Sequence, residues 1–174
     1  IGLLGDGTIA VAWGEMKFGP NYNDEIRFSR SSDGGLTWTP SVAVHPEQPA
    51  TEYLRPSLLV VGNRILISYW AGVAYPNARP TVVASDDAGE HWGTPITVTT
   101  RTGPYDGSAP CLAYNDVRGT VGLAMPTSTE AIYFFMSADL GATWSGGVQV
   151  NDASASSVDY PDLAGSLLPS APPN

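Results

Sequence analysis

The arginines are the side chains of this sequence that are best suited to holding a substrate. Seven of the eight cationic residues are Arg, and the eighth is Lys17. A planar guanidinium can donate two parallel hydrogen bonds to a carboxylate, whereas an ammonium acts as a point charge. The positive charge is therefore of the type that suits carboxylate groups. Loop tyrosines such as Tyr75 and Tyr105 could stack on sugar faces, although loop tyrosines more often pack locally.

Metal and thiol chemistry have little support in the sequence. The lone Cys111 excludes an internal disulfide and a Cys-based metal cage, and its apolar neighbours indicate a buried, inert thiol. His45 and His91 fall at a strand end and inside a turn, so we do not expect them to form a metal-binding pair. The chain has no EF-hand spacing for calcium. We therefore predict no metal site and no cofactor.

A repeated eight-residue pattern organises the chain. It has the form Ser-x-Asp-x-Gly-x-(Thr/His)-Trp, and we call each copy an octet. The three octets are Ser31–Trp38, Ser85–Trp92 and Ser137–Trp144. Their first residues are 54 and 52 positions apart (85 − 31 and 137 − 85). Such a period indicates that one supersecondary unit is repeated along the chain.

Each octet is predicted to form a tight turn between two strands. Ser and Asp side chains accept hydrogen bonds from nearby backbone N–H groups, and Gly adopts backbone angles that other residues avoid. Asp33, Asp87 and Asp139 are accordingly interpreted as structural residues that cap turns, not as acids or metal ligands. The closing tryptophans are expected to fold back as apolar plugs in the core.

The octet resembles the Asp-box, or bacterial neuraminidase repeat, of sialidases and other β-propeller proteins. In that family the box joins the third and fourth strands of each four-stranded blade. The resemblance covers nearly the whole chain, and it implies an all-β fold built of sialidase-like propeller blades. It bears on fold more than on function, because Asp-boxes also occur in propellers that hydrolyse other glycans or only bind.

The segments around the octets predict three four-stranded antiparallel blades and the start of a fourth. Their expected limits are about 1–48, 52–100 and 106–151, with a partial blade over 158–167 and a flexible tail over 168–174. The predicted strands are 1–4, 8–14, 25–31 and 41–45 in the first blade, 55–61, 64–70, 80–85 and 96–99 in the second, and 109–114, 120–124, 131–137 and 147–150 in the third.

Three blades cannot close a propeller, which needs roughly four to eight. The ring of the sialidase-like family has six, so the chain is interpreted as about half of one. Either it is a fragment of a longer protein, or it pairs with a second copy as a homodimer that completes the ring by two-fold symmetry. A free half-propeller would expose two apolar blade faces, which soluble proteins rarely tolerate.

Composition excludes several classes of partner. Seventeen acidic residues against eight basic ones give a net charge of −9, which argues against nucleic acid and anionic membranes as partners. No stretch approaches the length of a membrane span, and no signal peptide is present. The chain begins at Ile1 without Met, so a leader could have been removed. We expect an extracellular or periplasmic location and a glycan as substrate or ligand.

The resemblance also implies where a site would lie. In the family the active face is formed by the starts of first strands and by loops between second and third strands. A sialidase uses Arg residues to hold the substrate carboxylate, an Asp as general acid and base, and a Tyr nucleophile. Asp24 resembles the acid/base Asp, which precedes the third strand of the first blade. The expected substrate-binding residues are Tyr53, Arg55, Tyr75, Arg79 and Asp106.

Departures from the family pattern leave function open. Arg55-Pro56-Ser57 stands where sialidases show Asp-Pro-Ser, and the Arg-Ile-Pro signature that would precede Ile1 is absent. A solvated loop carboxylate at Asp24 and a surface ion pair between Arg55 and Glu52 are the alternatives for these two residues. The hypotheses are an exo-α-sialidase-like hydrolase of terminal sialic acids, a non-catalytic carbohydrate- or protein-binding propeller, and a structural half-ring that assembles with itself.

Overall fold

The protein is all-β over the part of the chain that the structure describes. The computed structural model describes residues 1–16, 24–45, 52–72, 77–103, 108–129 and 131–152, with only the backbone for 52–54. These residues contain no helix, and so none that could cross a membrane. The predicted partial blade over 158–167 and the tail over 168–174 lie outside the described residues.

In the described part of the chain, twelve strands form three four-stranded antiparallel sheets, which are three propeller blades. Blade 1 contains β1 (Gly2–Leu3), β2 (Ile9–Glu15), β3 (Glu25–Ser31) and β4 (Val42–Ala43); blade 2 contains β5 (Glu52–Val61), β6 (Arg64–Gly72), β7 (Arg79–Ser85) and β8 (Ile96–Thr97); blade 3 contains β9 (Cys111–Asn115), β10 (Thr120–Pro126), β11 (Ile132–Ser137) and β12 (Val148–Gln149). Strands that follow one another in sequence are neighbours in each sheet. The sequence-based expectation of three such blades is confirmed.

The blades share one register, so their residues can be compared position by position. The first Ser of each octet pairs directly with an apolar residue of the second strand: Ser31 with Ile9, Ser85 with Ile65, and Ser137 with Val121. Side chains alternate between the two faces of a strand. We call the side that carries these paired apolar residues the front of each blade and the opposite side the back.

Two apolar cores hold the blades together, and each lies between the back of one blade and the front of the next. Between blades 1 and 2, Ile26 and Phe28 pack against Ile65, Ile67 and Tyr69. The core between blades 2 and 3 contains Leu66, Trp70 and Val82 from blade 2 and Val121, Leu123 and Met125 from blade 3. Burying side chains of this size contributes about 1.5–3 kcal/mol each.

The prediction that all three octet tryptophans plug the core is wrong for Trp38. Trp92 packs against the core between blades 1 and 2, and Trp144 packs against the core between blades 2 and 3. Trp38 is 44% exposed. The physical reason is positional: each tryptophan packs toward the preceding blade, and no blade precedes blade 1 among the described residues.

Candidate functional site

The octets form closed hydrogen-bond networks at one end of the blades. In octet 1, the Ser31 hydroxyl donates to Asp33 Oδ1 at 2.7 Å and accepts from the Gly35 N–H at 2.8 Å. Asp33 also accepts from the Thr37 N–H at 2.9 Å and from the Thr37 hydroxyl at 2.5 Å. The same bonds recur in octets 2 and 3, with His91 in place of Thr at the seventh position.

These networks determine the ionisation of the octet carboxylates. Hydrogen bonds from the Thr37 hydroxyl and N–H lower the pKa of Asp33 to about 2, and those from Thr143 do the same for Asp139. The His91 N–H and ring lower the pKa of Asp87 further still. A carboxyl held anionic in this way is a poor general acid near neutral pH. The geometry therefore agrees with a turn-capping role for all three.

The octet glycines also bring consecutive blades into close contact. A Cβ built on Gly89 would lie 2.3 Å from the Phe28 ring of blade 1, and one built on Gly141 would lie 2.3 Å from Leu66 of blade 2. Both glycines have φ near +90°, a region that favours glycine over other residues. Phe28 additionally meets Trp92 edge-on, with ring centroids 5.1 Å apart. Octets 2 and 3 therefore each form a close contact with the preceding blade, and we call such a contact a joint.

An arginine of the preceding blade closes each of these joints. The Arg30 Nη1 donates to the Ala88 carbonyl at 2.7 Å, and its other terminal nitrogen pairs with Glu90. From a different strand, the Arg64 Nε donates to the Leu140 carbonyl at 3.0 Å, and the guanidinium pairs with Asp86. Ala88 and Leu140 are both the fourth residue of their octet. Two of the seven arginines are thus explained by architecture, not by ligand binding.

The residues that the resemblance selects lie at the opposite ends of the strands. Asp24 directly precedes β3 and is buried, with 8% of its surface exposed. Arg79 is the first residue of β7, and Arg55 lies near the start of β5. Both arginines are exposed. Because β3, β5 and β7 all begin at the end of the blades away from the octets, the structure puts these three residues on one rim.

Arg55 has an unusual backbone for a residue with a side chain. Its φ is +58°, and it lies in the irregularity of the β5–β6 pairing between Leu54 and Ser57. A bulge of this kind turns a side chain away from the regular alternation of the strand, and left-handed backbone costs about 1–2 kcal/mol for a residue other than Gly. Within the described residues, the Arg55 guanidinium has neither a hydrogen bond nor an ion pair. The guanidinium is therefore available to an anionic ligand.

A charged cluster next to Asp24 was not anticipated from the sequence. The Arg27 Nη1 contacts Glu25 Oε2 at 3.0 Å, and its Nε lies 3.4 Å from Glu15. Arg27 Nη2 also donates to the Ser41 carbonyl at 2.8 Å. Glu25 is almost fully buried. Arg27 lies on the front of blade 1 together with Glu25, opposite Trp13 of β2.

His45 completes the buried polar groups at this end of blade 1. Its Nε2 accepts a hydrogen bond from the Ile26 N–H at 3.0 Å, which requires that nitrogen to be unprotonated. Its ring lies 5.6 Å from the Tyr69 ring of blade 2, centroid to centroid. Among the described residues, no three His, Cys, Asp or Glu side chains converge as a metal site requires. His45 therefore links β4 to β3 and has a structural role.

Several expected site residues lie wholly or partly outside the described part of the chain. Tyr53 lies in β5, where the structure gives only the backbone, and Tyr75 and Asp106 lie outside the described residues. The same holds for Tyr105, Glu130 and the loop over 17–23. The predicted roles of Asp24, Tyr53, Arg55, Tyr75, Arg79 and Asp106 stay predictions.

Comparisons with known proteins identify the fold. The chain is similar to the Hadza microbial sialidase Hz136 (TM-score 0.58, 18% identity, 82% of this chain and 35% of that one). It is also similar to a mutant Trypanosoma rangeli sialidase with trans-sialidase activity (0.60, 18%, 83% and 28%). Penicillium chrysogenum α-L-arabinanase, complexed with arabinobiose, is a third similar structure (0.57, 17%, 85% and 46%).

These likenesses show a β-propeller fold and no more, because every identity is below one fifth. The chain spans less than half the length of each of the three structures. No family model and no curated protein matches the sequence. Two of the three structures are named as sialidases and one as an arabinanase.

Proposed function

We propose that this chain is a sialidase-like glycoside hydrolase, or part of one, that acts on terminal sialic acids of glycans. The observation that carries the proposal is Arg55, an exposed guanidinium held by left-handed backbone at a bulge, on the same rim as the buried Asp24. Strained backbone persists where the surrounding structure enforces it, and such positions cluster at ligand sites.

The chemistry favours an anionic sugar over a neutral one. A sialoside carries a carboxylate, which a guanidinium binds through two parallel hydrogen bonds. The described rim offers two exposed arginines, Arg55 and Arg79, for this role. Asp24 would serve as general acid and base, because its burial beside the strand end keeps it away from bulk water. An arabinan, which lacks a carboxylate, would gain nothing from the two guanidinium groups.

The test is hydrolysis of a fluorogenic sialoside by the full chain, with arabino-oligosaccharides as the neutral comparison. We expect turnover of the sialoside alone. The variant Asp24→Asn should lower the rate by about 100-fold or more, the usual contribution of a positioned acid or base. Asp116→Asn, in the exposed β9–β10 turn of blade 3, should leave the rate unchanged. Absence of turnover at high protein concentration would contradict the proposal.

A binding module is the second candidate, and Arg55 itself favours it. The resemblance leads us to expect Asp at this position of a sialidase, so Arg55 could hold a carboxylate where no catalytic machinery is complete. In that case sialylated glycans would bind without being cleaved, and Arg55→Ala would abolish binding. Arg55→Lys would restore it only in part, because an ammonium cannot form the paired bonds. A lack of both turnover and glycan binding would contradict both candidates.

A further inference from the structure

The β2 side of the front of blade 1 is an apolar surface whose equivalents in the other blades are covered, whereas the β3 side of this front carries Arg27 and Glu25. Ile9, Val11 and Trp13 are partly exposed. At the equivalent positions Ile65, Ile67 and Tyr69 of blade 2, and Val121, Leu123 and Met125 of blade 3, the side chains are completely buried. A groove of about 370 Å³ runs along this surface, lined by Val11, Trp13, Ser29, Trp38, Thr39 and Ser41.

Among the described residues, the back of blade 3 is a second open surface, and it resembles the covered back of blade 1. Phe134 lies three residues before its octet, as Phe28 does before octet 1. Phe28 is 2% exposed because Trp92 and Gly89 of blade 2 cover it. Phe134 is partly exposed, and its neighbours Met136 and Val148 are 42% and 64% exposed.

The two open surfaces carry the same two kinds of residue that meet where Phe28 contacts octet 2. Octet 1 supplies Gly35 and Trp38, and the nearest atoms to a Cβ on Gly35 lie 3.9 Å away. That space corresponds to the one that Phe28 fills at Gly89. Phe134 is the same residue type at the same position of its blade. We propose that the front of blade 1 binds the back of blade 3 of a second copy of this chain, with Phe134 seated on Gly35 and Trp38.

The contact joins different surfaces of the two copies, so it must either close or continue as a filament. If each blade turns the chain by about one sixth of a full turn, as in a six-bladed ring, two three-blade arcs meet at both ends and form a closed two-chain ring. No sheet face of the three described blades then remains open, which removes the exposed apolar surface that soluble proteins rarely tolerate. This contact would therefore continue the two blade–blade interfaces already present within one chain.

One feature makes the joint between copies weaker than the joints within a chain. Met136 occupies the position that Arg30 has in blade 1, each directly before its octet. Arg30 donates to the carbonyl of the fourth residue of octet 2. The corresponding carbonyl, that of Gly34, would meet a methionine and receive no such bond. The assembly should therefore dissociate on dilution.

The first test is the mass of the full chain in solution, by light scattering over a range of concentrations. We expect two chains per particle at high concentration and one on dilution. Leu3→Glu and Met136→Glu place a charge on exposed positions of the two surfaces and should each give single chains. Val117→Glu, at a position 91% exposed in the β9–β10 turn, should leave the two-chain mass unchanged.

Cross-linking determines which surfaces meet. In a Cys111→Ser background, one chain carries Leu36→Cys in octet 1 and another carries Met136→Cys. These positions correspond to Glu90 and Arg30, which pair within the chain. A short bis-maleimide should link the two variants when they are mixed and neither variant to itself. A chain with Arg30→Cys and Glu90→Cys is the control, and it should cross-link internally.

A gain of affinity is the sharpest expectation. Met136→Arg supplies the missing guanidinium for the Gly34 carbonyl. A hydrogen bond from a charged donor should strengthen each joint about tenfold, and because the ring contains two such joints the dissociation constant should fall about hundredfold. Four results would overturn the proposal: a single-chain mass at all concentrations, filaments, a two-chain mass that persists in Leu3→Glu and Met136→Glu, or self-linking of either single-cysteine variant. A single-chain mass at all concentrations would indicate that blades of another polypeptide segment cover the open faces.

Discussion

Octets 1 and 2 have the same internal structure and different surroundings. In both, Ser and Asp close the turn with the same hydrogen bonds, and the fifth residue is Gly with φ of +92° or +90°. Gly89 is buried against Phe28, whereas Gly35 has no atom of another blade nearby. The turn is thus encoded locally, while the joint between blades needs a second sheet.

The comparison separates two reasons for a glycine in the octet. One is the left-handed backbone, which all three octets require. The other is the close approach of the preceding blade, which only Gly89 and Gly141 show among the described residues. A sequence pattern cannot distinguish these reasons because glycine satisfies both. Substitution of the glycines distinguishes them, because only some of them have a neighbouring blade close by.

The largest expected effect is that of Gly89→Ala. The added methyl group meets the left-handed backbone, worth about 1–2 kcal/mol, and also the Phe28 ring, where overpacking costs about 1–3 kcal/mol more. Gly35→Ala meets only the backbone term. Both variants are compared with the unmodified chain by urea unfolding, at dilutions where the chain is monomeric. The free energy of unfolding should fall by about 2–5 kcal/mol in Gly89→Ala and by only about 1–2 kcal/mol in Gly35→Ala.

The matched glycine pair also defines the result that would contradict this account. If both variants lose the same free energy of unfolding, the close approach at Gly89 contributes nothing and the octet is only a turn. Gly141→Ala provides a third measurement, and it should resemble Gly89→Ala because Leu66 lies equally close. Far-ultraviolet circular dichroism without denaturant confirms that each variant starts folded.

A smaller effect is expected from the arginine that spans blades 2 and 3. Arg64→Met removes the bond to the Leu140 carbonyl and the pairing with Asp86, while retaining a side chain that covers the same apolar surface. Hydrogen bonds from charged donors contribute about 1.5–3 kcal/mol each, and partial exposure reduces this contribution. We therefore expect Arg64→Met to lower the free energy of unfolding, measured in urea, by about 1–2 kcal/mol.

Arg118→Met is the control for that measurement. Arg118 is exposed in the β9–β10 turn, and its substitution should change the free energy of unfolding by less than about 0.5 kcal/mol. Equal effects of the two substitutions would show that the guanidinium at residue 64 does not fasten blade 3 to blade 2.

Most of the fold follows from the sequence because the octet is a strong local signal. Ser, Asp and Gly at fixed spacing specify the turn, and alternating apolar residues specify the strands on either side. The outer strands were predicted too long: 41–45 was expected and only Val42–Ala43 pairs as a strand. The Val44 N–H still donates to the Ile26 carbonyl, but the strand ends there because the His45 ring, not its backbone, accepts the Ile26 N–H.

The rest could not be read from the sequence because it depends on which surfaces meet. The arginines that close the joints come from different strands, Arg30 from β3 and Arg64 from β6. No regular spacing in the sequence therefore predicts their role. The exposure of Trp38 likewise depends on a neighbouring blade and not on the octet itself. At the opposite rim, Pro56 signals an irregularity in β5, because proline inside a strand marks an edge or a bulge. It does not predict the left-handed backbone of Arg55, since a residue before proline normally adopts extended backbone.

The smallest effect concerns the one octet that has histidine at its seventh position. Pairing with Asp87 raises the pKa of His91 above its usual 6.5. A group whose pKa is raised on folding stabilises fully below its unfolded pKa, and this contribution disappears as pH rises through the folded value. Octet 2 should therefore weaken slightly above pH 6.5, while octets 1 and 3 should not. His91→Thr should remove that slope from a plot of melting temperature against pH.

The same substitution should not alter the loss of stability in acid. That loss comes from Asp33 and Asp139, whose pKa values are about 2. Their carboxylates stabilise the fold above pH 3.8, and this contribution disappears as pH falls toward 2. A loss of stability above pH 6.5 that persists in His91→Thr would contradict the assignment of this slope to His91.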